Sequence, residues 1–256
     1  MSTQPRTVLL VGDRFAGFAV HEGVRTVSDF ISELLLGGYA DLPERTVVRA
    51  AQGVTLAEWA AVREEAARLG LDGRLEFQFA VPDLSPQGEV HKRLTENTLI
   101  ADLRQEGSAR FLATLRVHND NELLLDHQTG QHVQGMVAVE AARQMFLAVS
   151  ERFYASSHPE RSYYYVIDTM NTSFENFLFP LDATVEFTTT RAELADPSRL
   201  SFSAEISVHQ AGRRASLTHV EYTAFESALI EPKEHKRAQY AVDHVVHAET
   251  RTLVNA

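Results

Sequence analysis

The chain has 256 residues, 44% of them hydrophobic and 23% charged, which suits a globular protein large enough to bury a core. Its 35 acidic and 24 basic residues leave a formal charge of −11, so no basic surplus exists to displace counterions, and nucleic acid is not an expected partner. With no cysteine in the chain, disulfides, thiolate metal sites, iron–sulfur clusters and cysteine nucleophiles are excluded.

Arg6 is followed by a short apolar run, Thr7 to Gly12, and then by Asp13 and Arg14. A secretory segment needs roughly 7–15 apolar residues and a membrane span about 20. The expectation is a cytoplasmic protein without a membrane partner. Thr7-Val-Leu-Leu-Val-Gly reads as a buried parallel strand. Gly12-Asp-Arg-Phe lacks the further glycines of a dinucleotide fingerprint and reads as a plain strand-to-helix turn. Val27 to Leu36 carries Phe30, Ile31, Leu34 and Leu35 at helical spacing, and Thr46-Val-Val-Arg-Ala reads as a second strand. Thr55 opens another helix, with Glu58 at capping-box spacing and Leu56, Trp59, Ala60, Val62, Ala66 and Leu69 on its apolar side. Leu75-Glu-Phe-Gln-Phe-Ala alternates as a third strand. The order β-α-β-α-β predicts a small α/β domain over residues 1–80.

Val81-Pro-Asp-Leu-Ser-Pro-Gln-Gly is the best linker in the chain. A strand-rich domain is expected over residues 88–228, with strands at Asn97–Leu103, Phe111–Val117, Tyr163–Asp168, Ala183–Thr190 and Leu200–Val208. Gln210-Ala-Gly-Arg then turns the chain into Ala215–Phe225. Tyr163-Tyr-Tyr fits simple sheet packing. One helix interrupts the strands, from about Gly135 to Phe153. Between Met136 and Val149 only Glu140, Arg143 and Gln144 are strongly polar, so it is a buried helix. The fold class expected is α+β: a hotdog, an antiparallel sheet wrapped around one central helix, preceded by the α/β domain. Residues 229–256 form a C-terminal extension, either a peripheral helix or partly disordered.

The candidate site lies where a polar loop holding His127 and His132 runs into this helix. Gly135 lets a ligand approach the backbone, and the free N–H groups of the helix start suit a carbonyl or oxyanion. Glu140 and Arg143, three apart, are neighbours on one face. An intrahelical ion pair is the plain alternative, but among apolar neighbours both groups are partly desolvated, which favours a functional pair. The five-residue spacing of His127 and His132 does not match a helical metal pair, so no metal is expected; acid–base or substrate contact is the other reading. No cofactor is expected.

Val90-His-Lys, then Glu96-Asn97, Asp126-His127 and His132-Val-Gln-Gly-Met-Val-Ala-Val-Glu-Ala-Ala-Arg-Gln resemble the A-factor biosynthesis hotdog family of actinomycetes. The resemblance covers about 140 residues, Val90 to about Glu226. More distantly, Gly-Met and Glu-Ala are similar to the central helix of hotdog dehydratases acting on acyl thioesters. Only one hotdog repeat is readable where family members typically carry two, and Gln134 stands where a proline is usual. The resemblance implies an enzyme acting on an acyl thioester of coenzyme A or a carrier protein, transferring the acyl group to a small hydroxylated acceptor in specialised metabolism. Glu96, Glu140 and Arg143 carry over as catalytic candidates, with Glu96 or Glu140 as base and Arg143 binding an anionic group. Met136, Val139 and Phe146 are expected to line an acyl tunnel beside Gly135. A dehydratase or isomerase would pair His127 or His132 with Glu140, although gap-free alignment puts Asp126 at the histidine position. A thioesterase needs only a carboxylate to activate water, and a non-catalytic ligand-binding or scaffold module could use the same arginine. A single repeat also implies a homodimer.

Overall fold

The structure, a computed structural model, describes residues 6–40, 45–126 and 130–254, with side chains through Val246. Its N-terminal part is a four-stranded parallel sheet of β1 (Arg6–Val11), β2 (Val24–Thr26), β3 (Thr46–Ala50) and β4 (Leu75–Gln78), in the order β2-β1-β3-β4. Two helices, α1 (Val27–Leu35) and α2 (Leu56–Arg68), cover it. Thr26 starts α1 by accepting the Asp29 N–H at 3.0 Å. Thr55 and Glu58 form a reciprocal capping box on α2. Val8, Leu10, Val48 and Leu75 of the strands pack with Phe30, Leu34, Trp59, Val62 and Ala66 of the helices.

A short α3 (Gln87–Val90) and a 3-10 turn at Thr95–Asn97 lead into the second sheet. Its strands are β5 (Ile100–Gln105), β6 (Arg110–Leu115), β7 (Tyr163–Phe174), β8 (Ala183–Glu193), β9 (Arg199–Gln210) and β10 (Arg213–Glu226). Every pairing is antiparallel, in the order β5-β6-β8-β9-β10-β7. The central helix α4 (Gly135–Phe153) packs across this sheet, which is the hotdog architecture. On β9 Leu200, Phe202, Ala204, Ile206 and Val208 all turn into the core. Phe146 of α4 stacks on Tyr222 of β10 with centroids 4.4 Å apart, and Ser150 and Tyr222 share a hydrogen bond of 2.8 Å. Ala211 and Gly212, both at positive φ, make the two-residue β9–β10 hairpin. Strand β7 pairs with β10 alone, so its other edge is unpaired among the described residues. Residues Ser227–Val254 form α5, and no described helix is long and apolar enough to cross a membrane.

Several strand bounds differ from the pattern. The stretch at Asn97 opens as a 3-10 turn because its side chain and carbonyl are tied to Glu122 and Gln144, and the strand starts at Ile100. Strand β7 runs on to Phe174, its alternation broken where the register shifts opposite Glu221 and Tyr222. The two sheets are separate, but one apolar cluster joins Val11, Phe15, Phe18, Val24 and Ala51 to the hotdog core. Gly12 and Gly53 touch at this junction; a Cβ on Gly12 would lie 2.6 Å from the Asn119 amide oxygen.

Candidate functional site

Helix α4 begins without a cap. Gln134 makes no side-chain bond to the first turn, and that turn holds no acidic residue. Among the described residues, neither Gln134 nor the first turn supplies a side chain that compensates the positive end of the helix dipole. A Cβ on Gly135 would lie 2.9 Å from the exposed Phe174 ring on β7, so any larger residue there must displace that ring. Only one strip of the first half of α4 reaches solvent, namely Gly135, Met136, Val139, Glu140 and Arg143. The residues from Gln144 to Ser150 are all buried.

Glu140 is the centre of a charged cluster on that strip. Arg143 donates to both of its oxygens, from Nε at 2.9 Å and Nη2 at 3.1 Å. The Lys92 ammonium lies 2.7 Å from Oε1, and the Gln144 amide donates to the same oxygen at 3.1 Å. Burial pushes the Glu140 carboxyl upward, but the hydrogen bonds from Arg143, Lys92 and Gln144 outweigh it and hold its pKa below the ordinary value. The three charges sum to +1.

Local backbone explains how Lys92 arrives. Helix α3 ends on His91 in the left-handed region (φ 51°), with Val90 fully buried as anchor. The turn sends Lys92 to Glu140 and His91 to Glu151, 3.2 Å away and further along α4. Gln144, also fully buried, takes the Leu99 N–H at 2.8 Å and donates to the Asn97 carbonyl at 2.8 Å. It thereby locks the segment holding Glu96 to α4. Asn97 and Glu122 exchange two further bonds, and Asn121 donates to the Glu96 carbonyl.

The candidate residues are placed as follows. Glu140 and Arg143 are together; Glu96 lies on the segment held by Gln144, its carboxylate without a hydrogen-bond or ion-pair partner among the described residues. Gly135 and Met136 lie at the helix start, Met136 exposed and Val139 half-buried. Phe146 sits in the core, 1% exposed, because it faces the sheet and stacks on Tyr222; it is not a tunnel wall. His132 stands edge-on to Phe177 at 5.4 Å. His127 lies outside the described residues. Among the described histidines none pairs with Glu140, and Glu140, held ionised by its partners, is poorly suited to be a base. No group of three metal-ligating side chains occurs among the described residues. Lys92 and Gln144 are additions to the candidates. Both stand in the quoted family-like strings, and Lys92 is one of only three lysines.

The family model of the A-factor biosynthesis hotdog domain matches residues 78–226. No curated protein matches the chain. Among solved structures, a mutant thioesterase from Pseudomonas aeruginosa is 14% identical over 50% of this chain and 81% of its own, with a TM-score of 0.37. A putative thioesterase from Shewanella oneidensis is 8% identical over 49% of this chain and 83% of its own (TM-score 0.38). A protein from Helicobacter felis is 17% identical over 56% and 89% (TM-score 0.37).

Proposed function

The chain belongs to the A-factor biosynthesis hotdog family, and on that premise we propose that it is an enzyme transferring an acyl group from a thioester, of coenzyme A or a carrier protein, to a small hydroxylated acceptor. The observation that carries the reading is the uncapped start of α4 beside a cluster of net charge +1 on the helix's one open strip. The Gly135 and Met136 N–H groups polarise the thioester carbonyl and stabilise the oxyanion of the tetrahedral intermediate. Met136, Val139 and the Phe174 ring receive the acyl chain. Arg143 and Lys92 bind a phosphate or carboxylate of the substrate, while Glu140 positions both cations. The unpartnered Glu96 carboxylate accepts the acceptor's hydroxyl proton as the oxygen attacks the carbonyl carbon. Collapse of the intermediate breaks the carbon–sulfur bond, and the thiolate takes the proton.

A second copy of the chain completes the site in this reading. The open strip of α4 and the unpaired edge of β7, with Ile167 and Phe174 exposed on it, support a homodimer.

The test is thiol release from a panel of acyl thioesters, with and without polyol acceptors, and mass spectrometry of the products. Acceptor-dependent release with the acyl group on the acceptor supports transfer. Release that ignores the acceptor and yields free acid makes the protein a thioesterase. Saturable binding without release on any substrate makes it a binding module.

A further inference from the structure

A cavity of about 330 Å³ opens outside the carboxyl ends of β3 and β4, the end of a parallel sheet that takes ligands. Between β1 and β3, where the strand order reverses, that end is filled by the contact of Gly12, Gly53 and Asn119. The free space lies instead between α2 and the linker after β4. Its walls are largely apolar, with Val54, Leu56, Phe79, Val81, Pro82 and Leu84; its polar lining residues are Thr55, Thr95, Thr98, Arg116 and His118. No acidic residue is among those lining it.

Two of these polar groups, Thr98 and Arg116, turn this space into a site. Thr98 lines it and is 2% exposed, yet its hydroxyl has no hydrogen-bond partner among the described residues. Native interiors seldom leave such a group unpaired. Arg116 reaches the same cavity from the end of β6. Its Nη1 donates to the Ala51 carbonyl at 3.1 Å and its Nη2 to that of Val54, and the guanidinium lies 5.9 Å from the Phe79 ring centre. Those bonds fix the fork and, among the described residues, leave three of its five N–H donors uncommitted. Arg116 forms no ion pair among the described residues. Asp182, the acid that acts on it from a distance, lines a neighbouring cavity and not this one. Burial lowers the Arg116 pKa, as expected for a cation held without a close counter-ion.

We propose that this cavity binds a small organic monoanion, a carboxylate with a short apolar body, whose oxygens meet the Arg116 guanidinium and the Thr98 hydroxyl. One arginine in a largely apolar wall suits one negative charge better than a phosphate dianion. The volume, at the low end for ligand sites, suits a short chain. The site does not rest on the thioester reading, since none of its lining residues belongs to the Lys92–Glu140–Arg143 cluster.

The chain supplies its own reporter. Trp59 is the single tryptophan, and its ring lies 5.3 Å from that of Phe79. Titrating the full chain with hexanoate should shift Trp59 emission saturably. Hexanol and hexyl phosphate should bind at least about tenfold more weakly. Thr98→Val, and Ala57→Leu on the exposed first turn of α2, should each weaken hexanoate about tenfold at unchanged melting temperature. Arg116→Met should abolish the response; the other two variants keep the test sound if it does not fold. Arg143→Met should leave binding intact. The proposal is overturned by an absent hexanoate response, by hexanol or hexyl phosphate binding equally well, or by a response that survives Thr98→Val and Ala57→Leu. Loss of the response in Arg143→Met would assign hexanoate to the α4 site and overturn it too.

Discussion

Removing the Glu140 carboxylate separates two roles that a mid-helix glutamate can play. Glu140→Ala strips acceptors from Arg143, Lys92 and Gln144 and leaves two cations without their shared counter-ion. A hydrogen bond to a charged group contributes about 1.5–3 kcal/mol when well buried. These side chains are 18–30% exposed, which places each contact nearer about 1 kcal/mol. The expected cost is therefore about 2–4 kcal/mol, or roughly 4–8 °C in melting temperature for a chain of this size. Glu140→Gln keeps one acceptor oxygen and should cost about half as much. The dependence on pH has a definite sign. The folded pKa of Glu140 is depressed below its ordinary 4.5, so its contribution is fully present above that value and is lost as pH falls through the folded pKa. The gap in melting temperature between wild type and Glu140→Gln should be constant from about pH 8 to 5.5 and close below about pH 4.5. Lys92→Met should cost about 1 kcal/mol in the wild type and much less in the Glu140→Gln background. Calorimetric melting across pH, with the four proteins of that cycle, measures both. A gap that does not change with pH, together with a cost for Lys92→Met equal in both backgrounds, refutes the cluster as a coupled, ionised unit.

Phe146→Ala, which empties core space against Tyr222, should lower stability by about 3–5 kcal/mol in denaturant titrations, whereas Met136→Ala should leave stability unchanged and alter only acyl-chain preference. Gly135→Ala should change stability by less than about 1 kcal/mol, since alanine's helix preference offsets displacement of the exposed Phe174 ring. The same variant should lower kcat/KM on thioesters by about tenfold, and an unchanged rate would remove the helix start from the reaction. Light scattering at micromolar concentration should give about twice the 28.6 kDa of one chain; a monomer mass throughout contradicts the dimer.

The elements most legible in the sequence are those whose periodicity is one-sided and local. The alternation of Leu200–Val208, the Thr55–Glu58 capping box and the apolar belt of α4 depend on neighbours within a few residues. Glu140 and Arg143 could be paired from their spacing for the same reason. Lys92 could not, because only the left-handed turn at His91 brings it across 48 residues of sequence to Glu140. The depth of Phe146 was likewise hidden: on a helix apolar on most sides, composition does not say which side meets the sheet. Strand β2 is three residues long and carries too little pattern to register. The cavity at Arg116 is assembled from α2, the linker and β6, and no single window of sequence contains it.

The central claim is that the thioester carbonyl lies at the start of α4. A crystal structure of the full chain with an acyl-coenzyme A analogue, its thioester sulfur replaced by methylene to give an unhydrolysable ketone, tests it most directly. The account predicts the carbonyl oxygen about 3 Å from the Gly135 and Met136 N–H groups, with an anionic group of the analogue on Arg143 or Lys92. A carbonyl seated elsewhere, with α4's first turn left unliganded at full occupancy of the analogue, would contradict it.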